Sequence, residues 1–140
     1  MRVLVVGAGG VGTAVARTIA RRDLFERVVV ADYDEQRARR AIAGGSDRFA
    51  AVKLDASDEQ AIVELLRAER CDAVLNAVDP RFVMPIFRAA LTAGVSYLDM
   101  AMSLSRPHPS DDLAEPGLGF VCRIGRRHQS SPSSSSQLSD

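Results

Sequence analysis

Cysteine is scarce in this chain: Cys71 and Cys122 stand far apart, without a Cys-x-x-Cys and without His or acid residues at metal-ligand spacing. Such a pair reads as ordinary thiols in a reducing compartment, with no disulfide framework and no zinc site. Net charge is absent as well, because 18 basic and 18 acidic side chains cancel, and only a short Arg-rich stretch near Arg126 breaks the mixture. Neither nucleic acid nor a membrane is expected as a partner of so balanced a surface. The N-terminal apolar run is only about six residues, too short for a signal core or a membrane span, and the expected compartment is the cytoplasm. There is no nucleophile elbow, no arrangement of paired acids and no metal cluster, which removes the common hydrolase chemistries. No solenoid repeat is visible, and Lys53 is the only lysine.

What is present begins at once. Arg2 to Val6 is an apolar β-type run that breaks into Gly7-Ala-Gly-Gly-Val-Gly12 and restarts as a helix in which Val11, Ala14, Val15, Thr18 and Ile19 recur at helical spacing. Gly7 suits a tight turn off the strand, Gly9 lets backbone N–H groups approach a diphosphate, and Gly12 lets the helix pack close to the sheet. The helix N-terminus adds unpaired donors and a partial positive charge. A second strand, Arg27 to Ala31, delivers Asp32 about 20 residues after Gly12, where a dinucleotide fingerprint expects an acid. A glycine turn can exist merely to bring a helix onto a strand, but this one has strand, helix and acid in the expected places.

The pattern then repeats. Asp34 to Ala43 is a short Arg-rich helix stopped by Gly44-Gly45, and a third strand runs from Phe49 to Leu54, ending at Asp55. Ser57 or Asp58 can cap the next helix, whose apolar face is Ile62, Leu65 and Leu66. Asp72 to Ala77 is a fourth strand containing Asn76. Pro80 suits the first position of a helix capped by Asp79, while Pro85 should start or kink it. Phe87, Ala90, Leu91 and Gly94 finish that helix, and Val95 to Met100 is a fifth strand ending near Asp99. Leu24 and Phe25 are expected to cover the corner before the second strand. Strands alternating with helices at this spacing imply right-handed βαβ units and a Rossmann-type, doubly wound parallel sheet of order 3-2-1-4-5.

Residues 1–105 are thus expected to form a dinucleotide-binding domain. Residues 106–140 lose the pattern: Pro107, Pro109 and Pro116 indicate a loop, Gly117 to Ile124 is at most one further strand, and Arg126 to Asp140 is a Ser-rich tail expected to be disordered.

In such a sheet the ligand meets the residues just beyond the strands. Asp32 is placed to accept from both hydroxyls of the adenosine ribose and to repel a 2′-phosphate, which favours NAD, whereas Arg37, Arg39 and Arg40 offer cations that would admit NADP or simply form a solvated helix face. Asp55, followed by Ala56, either receives an adenine amino group or caps the following helix. Asn76 must find partners where it is buried; ligand ribose or diphosphate is favoured over a neighbouring loop backbone. Asp99 follows Tyr97 and Leu98 where a nicotinamide or substrate would lie, or else serves as a cap or loop brace. His108 and His128 read as free surface imidazoles. Hydride chemistry belongs to the cofactor, so the missing catalytic triad does not argue against an oxidoreductase.

Three further segments, Leu54-Asp-Ala56, Asp72-Ala-Val-Leu-Asn-Ala-Val78 and Ala89-Ala-Leu-Thr-Ala-Gly-Val-Ser-Tyr-Leu-Asp99, together with the glycine turn, resemble the NAD(P)-binding half of the saccharopine dehydrogenase family. The resemblance covers about Met1 to Ser105. It implies a cytosolic dehydrogenase or reductase acting at the secondary amine of an amino-acid or polyamine conjugate. The cofactor residues it implies are Gly7, Ala8, Gly9, Gly10, Val11, Gly12, Asp32, Asp55, Ala56, Asn76 and Ala77. Members continue into a larger substrate and dimerisation domain, so a small-molecule substrate and a homodimer are expectations for a full-length form. The change of composition near Pro116 leads to the expectation of a truncated or frame-shifted member. The glycine turn, Asp32 and the Asp55-Ala-Ser-Asp58 segment also resemble the NAD-sensing regulatory domains of potassium transporters, and a Rossmann fragment without retained function is the third alternative.

Overall fold

The runs Val3 to Val6, Val28 to Ala31 and Ala73 to Leu75 are apolar on both faces, and a strand of that kind is stable only between two helix layers. The computed structural model describes residues 1–100. In chain order the elements are β1 (Arg2–Val6), α1 (Gly10–Ala20), β2 (Arg27–Asp32), α2 (Glu35–Ala41), β3 (Phe49–Lys53), α3 (Glu59–Ala68), β4 (Ala73–Asn76), a 3-10 turn (Pro80–Phe82), α4 (Val83–Ala93) and β5 (Ser96–Asp99). The strands form one sheet of order β3-β2-β1-β4-β5, every pair parallel, as the βαβ spacing requires.

Alternation along the strands divides the core in two. Leu4 and Val6 of β1, Val29 and Ala31 of β2 and Val74 of β4 pack with Ile62, Val63 and Leu66 of α3 and Ile86, Ala89 and Ala90 of α4. Val3, Val5, Val28 and Val30 face the other way, onto Ala16 and Ile19 of α1 and Ala38 and Ala41 of α2. Each fully buried valine of β2 contributes about 1.5–3 kcal/mol of transfer free energy. The small residues of α1 and α2 let their axes lie close to the sheet.

Capping sets the helix ends. Asp34 accepts from the Gln36 N–H and Asp58 from the Ala61 N–H, so Asp58 is the cap of α3. Asp79 caps the 3-10 turn through the Arg81 N–H with Pro80 at its start, and Pro85 falls in the first turn of α4, where a missing N–H costs nothing. Gly94, at φ +73°, ends α4 in the left-handed conformation, and the Val95 N–H reaches back to the Ala90 carbonyl at 3.0 Å.

Several expectations are corrected. The buried face of α1 is Gly12, Ala16 and Ile19; Val11 and Ala14 are exposed, because seating Gly12 on the sheet turns them outward. Leu24 is 67% exposed, so Phe25 alone covers the corner, and Leu91 lies on the outer side of α4. Helix α2 ends at Ala41, before the glycines, and strands 3, 4 and 5 are shorter at their ends than their apolar runs.

At the amino edge of the sheet, charges are paired across long sequence separations. The Arg27 guanidinium donates to both carboxylate oxygens of Glu69 at 2.9 and 3.3 Å, Arg2 Nε donates to the Glu69 carbonyl at 2.6 Å, and the Arg2 N–H donates to Asp72 Oδ2 at 2.7 Å. Among the described residues no helix is long and apolar enough to cross a membrane. The proline-rich loop, Cys122, His108, His128, the Gly117 to Ile124 segment and the Ser-rich tail lie outside the described residues.

Candidate functional site

The carboxyl edge of the sheet holds the glycine turn. The Gly7 N–H donates to the Ala31 carbonyl at 2.7 Å and the Ala77 N–H to the Val6 carbonyl at 2.8 Å, which locks the turn between the ends of β2 and β4. Its glycines divide into two kinds. Gly7 lies at φ +101°, and a Cβ there would stand 2.5 Å from Val78 Cγ1 and 2.8 Å from the Ala77 carbonyl oxygen. A Cβ on Gly12 would stand 1.8 Å from the Gly7 carbonyl oxygen. Those two are required for packing. Over Gly9 and Gly10 a Cβ would meet nothing within 4 Å.

That open space lies at the start of α1. Gly9 occupies the cap position with no side-chain cap bond, and the first turn carries no acidic residue. The N–H groups that a helix cannot satisfy internally are therefore left to solvent or to an anion. Exposed Val11 stands on the outer side of the same turn, while Ala8 is buried beneath it.

Asp32 is only 8% exposed. Its Oδ2 accepts from the Ala8 N–H at 2.8 Å and its Oδ1 from the Asp34 N–H at 2.9 Å, so the acid is tied to the glycine turn and to its own loop. A carboxylate has about four acceptor positions, and two of these are taken. Arg37 Nη1 lies 3.8 Å from Asp32 Oδ1, whereas Arg39 pairs with Glu35 and Arg40 with Asp34. Of the three α2 arginines, only Arg37 reaches the acid. Lys53, level with Asp32 in the sheet, places its ammonium 5.7 Å from the centre of the exposed Tyr33 ring.

Asp55 lies exposed beyond β3 and accepts from the Ser57 N–H at 2.9 Å and the Ser57 hydroxyl at 2.6 Å. These bonds hold its carboxyl below the usual carboxylate range. Asp55 is thus a loop acid and not the helix cap, with Ala56 half-buried behind it.

Asn76 is 1% exposed and its partners are internal. Its Oδ1 accepts from the Val78 N–H at 3.1 Å, and its Nδ2 donates to the Tyr97 hydroxyl at 3.1 Å. Tyr97 in turn donates to Asp99 Oδ2 at 2.7 Å. Burial pushes the Tyr97 phenol well above its ordinary range. The loop backbone, expected second after a ligand, is therefore one of the partners found for Asn76. Tyr97 was not singled out from sequence as a polar partner. The available signal was period two: Tyr97 and Asp99 share one face of β5, and Asp99 is level with Asn76 in the sheet.

The structure thus brings Gly7 to Gly12, Asp32, Asn76 and Ala77 to one edge, with Asp55 beyond the neighbouring strand end. Among the described residues no group of His, Cys, Asp and Glu is arranged to hold a metal ion.

Comparison with known proteins gives this edge a context. The saccharopine dehydrogenase NADP binding domain model matches residues 3–130, running past the segment in which the resemblance was read. Carboxyaminopropylagmatine dehydrogenase of Synechocystis is 34% identical over 101 residues, which are 71% of this chain and 25% of that protein. Carboxynorspermidine synthase of Vibrio cholerae is 30% identical over 114 residues, 74% of this chain and 28% of that protein. The chain therefore spans about a quarter of the length of these relatives. Among solved structures, saccharopine dehydrogenase (L-Glu forming) from Saccharomyces cerevisiae superposes with a TM-score of 0.64 at 21% identity, covering 74% of this chain and 22% of that one. A UDP-glucose-4-epimerase from Stenotrophomonas maltophila, solved with NAD, gives 0.58 at 22% identity over 71% of this chain and 36% of that one, a likeness of fold. With its parallel sheet, its glycine turn and a family match over most of its length, the chain belongs to the saccharopine dehydrogenase NADP-binding domain family and is a Rossmann-type NAD(P)-binding domain.

Proposed function

We propose that this chain is the dinucleotide-binding part of an oxidoreductase acting at the secondary amine of an amino-acid or polyamine conjugate. One observation carries the binding mode: Gly9 and Gly10 face open space at an uncapped helix N-terminus, while Gly7 and Gly12 are filled by the protein itself. The diphosphate sits over Gly9 and Gly10, receiving N–H groups up to Val11, and Ala8 aligns Asp32 for the adenosine ribose. Asp55 and Ala56 border the adenine, and Ala77 lies toward the nicotinamide. Gly7, Gly12 and Asn76 act from behind, by packing and hydrogen bonding. The nicotinamide supplies hydride transfer; the residues of this chain bind and orient it.

The substrate class rests on the two relatives, whose names specify a carboxyaminopropyl agmatine and a carboxynorspermidine. NAD is favoured over NADP, because Asp32 presents a carboxylate where a 2′-phosphate would lie and Arg37 is already beside that carboxylate.

Thermal unfolding of the 140-residue chain with NAD, NADH, NADP and ADP-ribose added separately tests the dinucleotide site and the cofactor preference. A ligand at 100 times its Kd stabilises the folded state by about 2.7 kcal/mol. NAD is expected to raise Tm well above NADP, and Asp32→Asn, which removes the charge and one of the two backbone hydrogen bonds, is expected to lower the unliganded Tm and to erase most of that difference. No rise with any nucleotide defeats the proposal, and a larger rise with NADP reverses the cofactor preference.

A further inference from the structure

Beside the glycine turn lies one part-buried polar chain, of which only Asn76 is fully buried. It runs from Asp99 through the Tyr97 hydroxyl and the Asn76 amide to the Val78 N–H, with links of 2.7, 3.1 and 3.1 Å. Hydrophobic packing does not need it: the same face of the sheet is otherwise filled by apolar side chains, and among the described residues Asn76 is the only buried amide. Burying the Asn76 amide is costly unless its partners satisfy it, and a satisfied network rigidifies what it touches.

What it touches is the turn after β4. The Asn76 side chain receives the Val78 N–H, and Val78 and the Ala77 carbonyl are the two groups against which Gly7 packs. Midway along the chain, the Tyr97 ring meets Phe87 of α4 edge-on with centroids 5.4 Å apart. Asp99, one strand further out, is level with Asn76, which is level with Val6, the residue before the glycine turn.

We infer that Asn76, Tyr97 and Asp99 are positioning residues: they hold the Ala77-Val78 turn against Gly7 and so set the glycine turn in the geometry that receives the diphosphate. Tyr97 is the critical member, since one oxygen both accepts from Asn76 and donates to Asp99. The inference rests on the dinucleotide reading for its last step only. The pinning of the turn stands independently of any ligand.

The experiment compares the full chain with Tyr97→Phe, which removes the hydroxyl and keeps the ring, and with Phe87→Leu, which weakens the aromatic contact and keeps the polar chain. Amide hydrogen exchange without ligand and titration with NAD and NADP are measured for all three. Tyr97→Phe is expected to speed exchange at Val78 at least tenfold relative to the sheet amides of Val5 and Val29, and to weaken the better dinucleotide about fivefold, as for a lost intramolecular hydrogen bond. Phe87→Leu is expected to lower Tm without either selective effect. Unchanged exchange at Val78 in Tyr97→Phe, or equal loosening in Phe87→Leu, overturns the inference. Selective loosening with unchanged affinity overturns its last step. If the parent chain binds neither nucleotide while Val78 loosens as expected, the dinucleotide reading fails and the pinning of the turn is upheld.

Discussion

The two edges of the sheet treat polar groups in opposite ways. At the amino edge, Arg2, Arg27, Glu69 and Asp72 use each other and nearby main chain, and Glu69 ties together residues from β1, β2 and the end of α3. At the carboxyl edge, the side chains are tied to main chain so that a different set of main-chain groups stays open: Asp32 holds Ala8 and Asp34, Asn76 holds Val78, and the start of α1 has no cap. One edge satisfies itself and the other is built to be completed. Binding sites in open α/β sheets lie at the second kind of edge because strand ends there meet helix N-termini.

The sharpest way to break this contrast is within the glycine turn itself. Gly12→Ala sets a Cβ against the Gly7 carbonyl oxygen, and neither atom can rotate away. A loss of about 3 kcal/mol or more is expected, read as a collapse of Tm in the absence of nucleotide. Gly10→Ala meets nothing and adds a better helix former, so its unliganded stability is expected to change by about 1 kcal/mol or less while nucleotide stabilisation drops. Equal behaviour of the two variants would erase the distinction between packing and ligand-facing glycines.

A smaller effect sharpens the other side. Glu69→Gln removes the charge that Arg27 and Arg2 share, and about 1–2 kcal/mol of stability is expected to go with it, since the pair is only partly shielded from solvent. Nucleotide affinity is expected to stay unchanged, as the brace lies at the far edge. The hydrogen bond from Arg27 holds the Glu69 carboxyl below its usual range. Such a depressed acid stabilises the fold above its unfolded pKa, so the difference between parent and Glu69→Gln should shrink as pH falls below about 4.3. Urea midpoints taken between pH 3 and 7 would show it.

A last effect is alkaline and vanishes at neutral pH. Burial pushes the Cys71 thiol up to about 11 from its ordinary 9.0. The unfolded chain releases this proton first, so the contribution is fully present below about pH 9 and is lost as pH rises toward 11. Cys71→Ser is expected to flatten that decline, and the parent's Cys71 should resist thiol reagents at pH 8 until the chain unfolds.

These contrasts show how far local sequence reaches. The alternation of strands and helices, the sheet order, the glycine turn and the acid that ends β2 were legible because each is written in runs of about 5–12 residues with period 2 or 3.6. The cap Asp79 and the helix end at Gly94 followed from the same local chemistry, while the cap of α3 was open between Ser57 and Asp58 until the Ala61 N–H showed it to be Asp58. The phase of α1 was misjudged because Val11 and Ala14 fit the periodicity well, and only the contact of Gly12 with Gly7 shows which face the helix turns to the sheet. For Asp55, adenine recognition and capping were equally consistent with the sequence, and the cap position of α3 is held by Asp58 instead.

By itself, then, the amino-acid sequence determined the class of fold, the place of the glycine turn and the position of Asp32, because backbone propensity and side-chain periodicity act between near neighbours. Only the tertiary structure decided which glycines pack and which stay open, that Glu69 braces Arg2 and Arg27, and that Asn76 is held by Tyr97. Those contacts join residues 5 to 67 positions apart, and they exist only once parallel strands have come into register and fixed which side chains share a face.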